Sequence, residues 1–410
     1  MFNVLVLGLA SFLTDVSSEM VYPLLPLFLT SARLGASPAI VGIIEGLAES
    51  TASLIRVFSG YWSDRLGVRK PITISGYTGS AIGKFVLYIS TSWPLVLVGR
   101  LADRFGEGLR TAPRDALIAD STPPDRRGSA FGLHRALDTA GAVLGVVLAY
   151  VLFVQARDDY SAVFLYSLIP ALLGVIVLFL VRERSSPHPP TPSPQAWGEG
   201  EQTPLSRAVG EGRGGASGAS STPWWGNIGA RWNALDRRLK AFLLVIFVFT
   251  LGNSSNQFLL LRARSLGFDD ATAILLYLAY NVTYALVSWP AGRLSDRIGR
   301  KTLLVAGYLT YGLVYVAFGF AQAATLWLLF PIYGLYIALT EGVEKALVSD
   351  LAPKDLRATL IGLHATFTGF GLLPASALAG LLWNTFGASA PFFFGGTMGV
   401  LAAVGLALLT

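Results

Sequence analysis

Apolar residues recur along this chain in blocks of about twenty, the length a helix needs to cross the roughly 30 Å hydrocarbon layer of a bilayer. Eleven blocks are plain: residues 4–29, 40–62, 72–90, 130–154, 163–181, 242–261, 271–291, 303–321, 326–348, 358–382 and 391–409. A twelfth, 95–119, has the length but carries many charges. Numbered in chain order, with 95–119 as span 4, these blocks predict an all-α membrane protein of twelve transmembrane helices.

From about residue 182 to 224 the pattern stops and Pro, Gly and Ser take over, a composition that cannot bury a core. A basic stretch follows at 227–240, near Trp224, Trp225 and Trp232, and either lies on the membrane surface or continues the linker. The linker separates two halves that repeat. Gly60-Tyr-Trp-Ser-Asp64-Arg65-Leu-Gly67-Val-Arg69-Lys70 returns as Gly292-Arg-Leu-Ser-Asp296-Arg297-Ile-Gly299-Arg300-Lys301, 232 residues later. Ala116-Leu-Ile-Ala-Asp120 returns as Ala346-Leu-Val-Ser-Asp350 at an offset of 230. Two blocks at nearly one offset indicate a duplicated six-helix unit: 1–182, a largely disordered cytoplasmic linker at 183–240, then 241–410. Two pseudo-symmetric halves of this kind place a binding site at their interface.

Composition agrees: 53% of the 410 residues are hydrophobic and 14% charged, against about 25% charged in soluble domains. The formal net charge is +6, yet the basic residues fall in short loops between spans, so membrane topology explains them better than nucleic acid does. Arg65, Arg69 and Lys70, then Arg126 and Arg127, Arg297, Arg300 and Lys301, and Lys354 and Arg357 share one side. That places both termini in the cytoplasm. There is no cysteine for a disulfide, thiolate metal site or nucleophile. Span 1 holds Asp15 and Glu19 and lacks a basic lead, so it is read as retained rather than cleaved.

The loop motif Gly-x-x-x-Asp-Arg-x-Gly followed by basic residues, present in both halves, resembles the signature of the major facilitator superfamily, and the resemblance covers the chain apart from the linker. It implies the twelve-helix fold of that family and a conformational gate at Gly60, Asp64, Arg65, Gly67, Arg69, Gly292, Asp296, Arg297, Gly299 and Arg300. Gly60 and Gly292 would allow close helix approach, and the two aspartates would latch one conformation. On span 4, Arg104-Phe-Gly-Glu107-Gly108-Leu-Arg110 matches a second family motif in part, which adds Arg104 to the gate. The antiporter motif of span 5 appears as Gly141-Ala-Val-Leu-Gly145, without its proline.

Charges at membrane depth cost roughly 2.5 to 3.5 kcal/mol each on insertion scales and mark function by default. Asp15 and Glu19, Glu45 and Glu49, and His134 and Asp138 are each spaced i,i+4 and so share a helix face. Arg56 extends the span 2 stripe, and Arg100, Arg104, Glu107, Arg110 and Arg114 form a net-basic stripe on span 4. The C-half is mostly neutral there, with Asn256, Tyr277, Tyr280, Asn281 and the aromatics of span 11 shaping the cavity and Glu341, Glu344, Lys345 and His364 restoring some charge. Candidates for substrate binding or proton coupling are Asp15, Glu19, Glu45, Glu49, Arg56, Glu107, Arg110, His134, Asp138, Asn256, Tyr277, Asn281 and Glu341. Arg100, Asp103, Asp115, Asp120 and Arg135 are read as structural groups near helix ends. His134 with Asp138 suits a proton relay, a metal-ligand pair or a packed hydrogen bond.

No phosphate-binding Gly-rich loop is present, so energy must come from a gradient rather than ATP, and neither an enzyme activity nor a cofactor is expected. The chain reads as a monomeric, proton-coupled secondary transporter of a small solute in an inner membrane. Two carboxylates close together cannot both ionise cheaply away from water, so Glu19 or Glu49 is expected to carry the proton. The net-basic face of span 4 favours an anionic or zwitterionic solute. The rivals are efflux of a divalent metal or a drug, and a non-transporting receptor that keeps the fold.

Overall fold

A computed structural model describes residues 2–123, 127–182, 237–351 and 357–409. Residues 183–236 of the expected linker, with the tryptophans of its basic stretch, and the side chains of Asp64, Lys345 and His364 lie outside what is described, while 237–240 already belong to the helix Arg237–Gly252. The described residues fold into twelve spans, all helical. Ten are single helices: Pro38–Leu66, Lys70–Tyr88, Trp93–Asp120, Arg127–Gln155, Tyr160–Leu178, Asp270–Ile298, Arg300–Phe320, Ala323–Leu351, Arg357–Phe386 and Ala390–Leu408. Spans 1 and 7 are each broken, into Phe2–Val21 with Leu25–Leu29 and into Arg237–Gly252 with Gln257–Ser265. Among the described residues, nine helices are long and apolar enough to cross a bilayer on length and hydropathy alone. Span 4 is a helix of 28 residues despite its charges.

Equivalent residues shape equivalent ends in the two halves. Ser37 caps span 2 by accepting from the Ile40 amide, and Asp269 caps span 8 by accepting from the Thr272 amide at 3.1 Å. The same two helices end on Gly67 and Gly299, whose φ angles of 66° and 92° favour glycine. The lysines that follow also correspond. Lys70 Nζ donates to the carbonyls of Phe179 and Val181 at 2.9 and 2.7 Å, and Lys301 Nζ donates to those of Ala407 and Leu409, so each half ties the start of its third helix to the end of its sixth. The basic tail of the loop motif is thus a C-terminal helix cap in both halves.

Helix pairing repeats as well. Spans 2 and 4, 3 and 4, and 3 and 6 pack together, as do 8 and 10, 9 and 10, and 9 and 12. The halves meet where span 2 packs on span 11, span 5 on span 8, and the short second pieces of spans 1 and 7 on each other.

At the end away from the basic loops this interface is sealed backbone to backbone. A Cβ on Gly42 would lie 2.1 Å from the Ser376 carbonyl oxygen, and one on Gly380 2.6 Å from Ala39 Cα. Arg264 adds polar contacts there, donating to the Leu27 carbonyl at 2.8 Å and to Thr30 Oγ1 at 3.1 Å while pairing with Asp270 at 3.4 Å. Asp270 in turn accepts from the Tyr160 hydroxyl of the N-half.

The opposite end is open. A cavity of about 870 Å³ lies between spans 4, 5, 8 and 10, with Gly292, Arg293, Asp296 and Arg300 in its lining and Trp289 stacked under Arg293. The expected close approach at the motif glycines is not found in this conformation. Gly60 has room for a methyl group at ordinary contact, 3.4 Å from Ala112, and Gly292 faces open space. The reason is that their ends of the halves stand apart.

Candidate functional site

The charges of spans 2 and 4 neutralise one another in an alternating ladder. Glu45 is fully buried and takes two hydrogen bonds from Arg100, at 3.1 Å from Nε and 2.6 Å from Nη2, in the bidentate geometry that suits a guanidinium. Arg104 Nη2 pairs with Glu49 at 2.9 Å, and its Nη1 donates to Glu107, whose other oxygen lies 3.6 Å from Arg56. Asp103 pairs with Arg100 at 3.2 Å and lies 3.8 Å from Lys84, which is 1% exposed.

Several expectations change here. Arg100 and Asp103, assigned to helix ends, are the buried hub of the network. Arg104, assigned to the gate, lies in the interior between two carboxylates. Glu45 and Glu49 are not a bare acid pair, because each holds its own guanidinium. Nor do spans 1 and 2 form adjacent walls: span 1 packs chiefly on spans 5 and 6, span 2 on spans 4 and 11. Of the net-basic face of span 4, Arg100 and Arg104 are paired with the acids of span 2. Arg110 stacks over Tyr77 of span 3 at 4.5 Å and donates to Ser80 at 3.0 Å, turned toward a neighbour in its own half.

Span 1 is where acid is left over. Among the described residues neither Asp15 nor Glu19 has a cation within ion-pair distance, and Glu19 accepts at 3.2 Å from the hydroxyl of Tyr277, across the interface between halves. The span 5 glycines place this helix. A Cβ on Gly141 or Gly145 would lie 2.5 Å from the carbonyl oxygens of Phe12 and Val16, so the remnant of the antiporter motif is a close-packing seam against span 1.

A separate hub sits nearer the cavity. Ser11 Oγ lies 2.9 Å from Tyr77 Oη, 2.9 Å from His134 Nε2 and 3.1 Å from Arg114 Nη1, and His134 Nδ1 lies 3.5 Å from Asp138. His134 and Asp138 line the cavity. No group of three His, Cys, Asp or Glu side chains among the described residues is placed to hold a metal ion, so the geometry gives no support to the divalent-metal rival.

The C-half meets span 1 with tyrosines. Tyr277 and Tyr280 have ring centroids 5.2 Å apart, Tyr280 and Tyr333 5.5 Å, and Tyr22 of span 1 stands 5.8 Å from Tyr277. Asn256 bridges them, donating to Tyr280 Oη at 3.4 Å and accepting from Tyr333 at 2.6 Å. Asn281 instead donates to the Tyr277 carbonyl of its own helix. Glu341 belongs to the cavity: Arg135 donates to it at 3.0 Å, and Tyr284 at 2.5 Å, which joins the halves across spans 5, 8 and 10.

Span 11 does not supply the expected aromatic wall at Phe370, which is 55% exposed. The aromatic cluster of the C-half is instead a packed one, Tyr308, Tyr311 and Tyr315 on span 9 with Tyr333 and Tyr336 on span 10, all buried. Their spacing of three and four residues marks one helix face in the sequence and would have revealed them.

Two repeated six-helix halves around a charged, partly open interior define the class of polytopic membrane carriers. The chain belongs to the Major Facilitator Superfamily, whose profile matches residues 7–261 and again 241–410. It is 36% identical over 414 residues to an uncharacterised MFS-type transporter of Methanocaldococcus jannaschii, covering 99% of this chain and 94% of that one. A shorter likeness, 30% identity over 128 residues or 31% of each chain, links it to the multidrug resistance protein MdtH of Photorhabdus laumondii. Among solved structures it resembles the nucleoside transporter NupG, with TM-score 0.74, 13% identity, and coverage of 100% and 99% of the two chains. It also resembles a D-xylose-proton symporter, with TM-score 0.72, 19% identity, and coverage of 100% and 98%. Fold and family are those of membrane transporters that move solutes, not of enzymes.

Proposed function

We propose that this chain is a monomeric, proton-coupled secondary transporter that works by alternating access, with Glu19 as the proton carrier. One observation carries the reading: Glu19, in the last turn of the helix Phe2–Val21, has no ion-pair partner among the described residues, and its hydroxyl donor, Tyr277, belongs to the other half. A group so placed can link its own protonation to the way the halves meet. When Glu19 is charged it accepts from Tyr277 and favours the present closure. When it takes a proton that bond weakens and the balance between conformations moves, by no more than the difference in interaction energy.

The charged and polar groups around it are Asp15 on its own helix, Arg100, Arg104 and Glu107 on span 4, and Tyr277 and Tyr280 on span 8. Positive-inside topology supports an inner-membrane orientation with both termini and the linker, 183–240, in the cytoplasm. The cavity then faces the cytoplasm.

The test separates exchange from accumulation. Substrate counterflow in vesicles needs no net proton movement, so Glu19→Gln should retain counterflow and lose accumulation driven by a pH gradient. Gradient-driven accumulation that survives Glu19→Gln would refute Glu19 as the carrier and redirect the search to Glu49, His134 and Asp138. The partial likeness to a multidrug resistance protein supports a second reading of direction, in which the solute is exported against entering protons.

A further inference from the structure

The hydrogen bond at Glu19 has a counterpart in the repeat. Span 2, Pro38–Leu66, and span 8, Asp270–Ile298, are in register at an offset of 232, which makes Glu45 and Tyr277 equivalent positions of the two halves. Each bonds to the first span of the opposite half: Tyr277 donates to Glu19 of span 1 at 3.2 Å, and Glu45 accepts from Gln257 Nε2 of span 7 at 2.8 Å. The two bonds differ in what stands behind the acid. Glu19 has no ion-pair partner among the described residues, whereas Glu45 is already held by Nε and Nη2 of Arg100.

The break in span 7 places the amide. The helix stops at Gly252 and resumes at Gln257 after Asn253, Ser254, Ser255 and Asn256, whose side chains compete with the backbone for hydrogen bonds. The backbone N–H of Gln257 donates to Ser255 Oγ at 3.3 Å, and that of Ser255 donates to Ser376 Oγ of span 11 at 3.2 Å. Span 2 closes on the same residue, since a Cβ on Gly42 would meet the Ser376 carbonyl. The carboxylate that Gln257 reaches is fixed in turn: its partner Arg100 pairs with Asp103 at 3.2 Å and lies over the Tyr22 ring at 5.4 Å. Glu45 and Gln257 are both fully buried.

We infer that Gln257 is a positioning residue of the transport cycle, a clasp whose side-chain amide fastens the C-half to the Arg100–Glu45 pair and holds the sealed end shut. This rests on the alternating-access reading above and adds a second link between the halves, separate from Glu19. A hydrogen bond to a carboxylate is stronger than one between neutral groups, so the contact favours closure. It also breaks without stranding a charge, because Arg100 and Glu45 belong to one half and stay paired when Gln257 withdraws. A salt bridge drawn between the halves would leave two lone charges on opening. The opposing contribution is Gln257 Oε1, buried in the closed state without a hydrogen-bond partner among the described residues. A bond that favours closure and an orphaned oxygen that opposes it leave the seal reversible.

Spin labels on cysteines at Gln155 and Gln322, exposed on the two halves at the sealed end, read the seal in ligand-free full-length protein. Gln257→Glu keeps the shape of the side chain but sets a carboxylate against Glu45, while Arg100 is already shared with Asp103. At mildly alkaline pH the long-distance population should gain at least about tenfold over the parent, as expected for like charges set together at an interface. Exchanging the pair, Glu45→Gln with Gln257→Glu, sets amide against carboxylate again and gives Arg100 a carboxylate on the other half, so the short distance should return. A side chain that only fills space would not be rescued by a change in the opposite half, and the double variant measures that coupling.

An unaltered distribution in folded Gln257→Glu, or an exchanged pair that stays open or unfolded, would overturn the inference. If Gln257→Glu alone does not fold, the exchanged pair decides by itself, since restored folding with a short distance requires the two residues to meet. These results leave the carrier role of Glu19 untouched, because that role stands or falls on counterflow against gradient-driven accumulation.

Discussion

Replacing Gly42 by alanine should drive the protein out of the conformation described here. The new Cβ would lie 2.1 Å from the Ser376 carbonyl oxygen, 3.0 Å from its carbonyl carbon and 3.1 Å from Phe258 Cζ. Carbon contacts are favourable only from about 3.5 Å, so span 11 must withdraw by more than about 1 Å, and a carbonyl within a helix cannot rotate aside as a side chain would. Overpacking of this kind costs about 1–3 kcal/mol. The cost falls on the closed interface and vanishes once spans 2 and 11 separate there, so it biases the two conformations by about 5- to 150-fold.

The chain has no cysteine, which allows spin labels on a cysteine pair at Gln155 and Gln322, exposed positions on the two halves at the sealed end. Electron-electron distance measurements should show one short population in the parent and a longer one gaining at least about fivefold in weight in Gly42→Ala. Gly79→Ala, whose Cβ would meet Gly106 within the N-half at 3.5 Å, should change nothing. An unaltered distance distribution in folded Gly42→Ala would refute the claim that backbone contact between spans 2 and 11 holds this end shut.

Arg100→Leu should lower the unfolding free energy by about 3–5 kcal/mol because it strands the buried Glu45 carboxylate, and adding Glu45→Gln should recover most of the loss; thermal unfolding in detergent checks both. Asp64→Asn and Asp296→Asn should slow substrate exchange several-fold more than they weaken equilibrium binding, since a latch biases orientation without touching the solute. Comparing counterflow rates with dissociation constants decides this. Deleting residues 186–220 should leave the thermal midpoint and transport nearly unchanged, and a cysteine at Ser217 should resist labelling from the periplasm.

The span pattern, the duplication and the family were all legible in the sequence, because each rests on relations within a helix or at a fixed offset. A block of twenty apolar residues, the motif at Gly60 and Gly292, and the i,i+4 spacing of Glu45 with Glu49 need no knowledge of packing. The site was less legible, for one physical reason. Sequence fixes which residues share a helix face, but the counterion for that face comes from another helix. Arg100 and Arg104 repeat the spacing of Glu45 and Glu49, and only the packing of span 2 on span 4 turns two stripes of opposite sign into one neutral ladder.

Counting charge along span 4 therefore overstates the positive charge it offers, because Arg100 and Arg104 are paired with carboxylates of span 2. Span 1 is set differently: Gly141 and Gly145 bring span 5 close with backbone, and among the described residues Asp15 and Glu19 have no cation within ion-pair distance. A bare carboxylate is costly inside a membrane. On the proposed transport reading, the Glu19 carboxylate is kept at the interface between halves, with a tyrosine hydroxyl as its partner, because a proton completes the site during the cycle. On that reading the ladder has a different role: already neutral, it can hold spans 2 and 4 together through both conformations while Glu19 decides the balance between them.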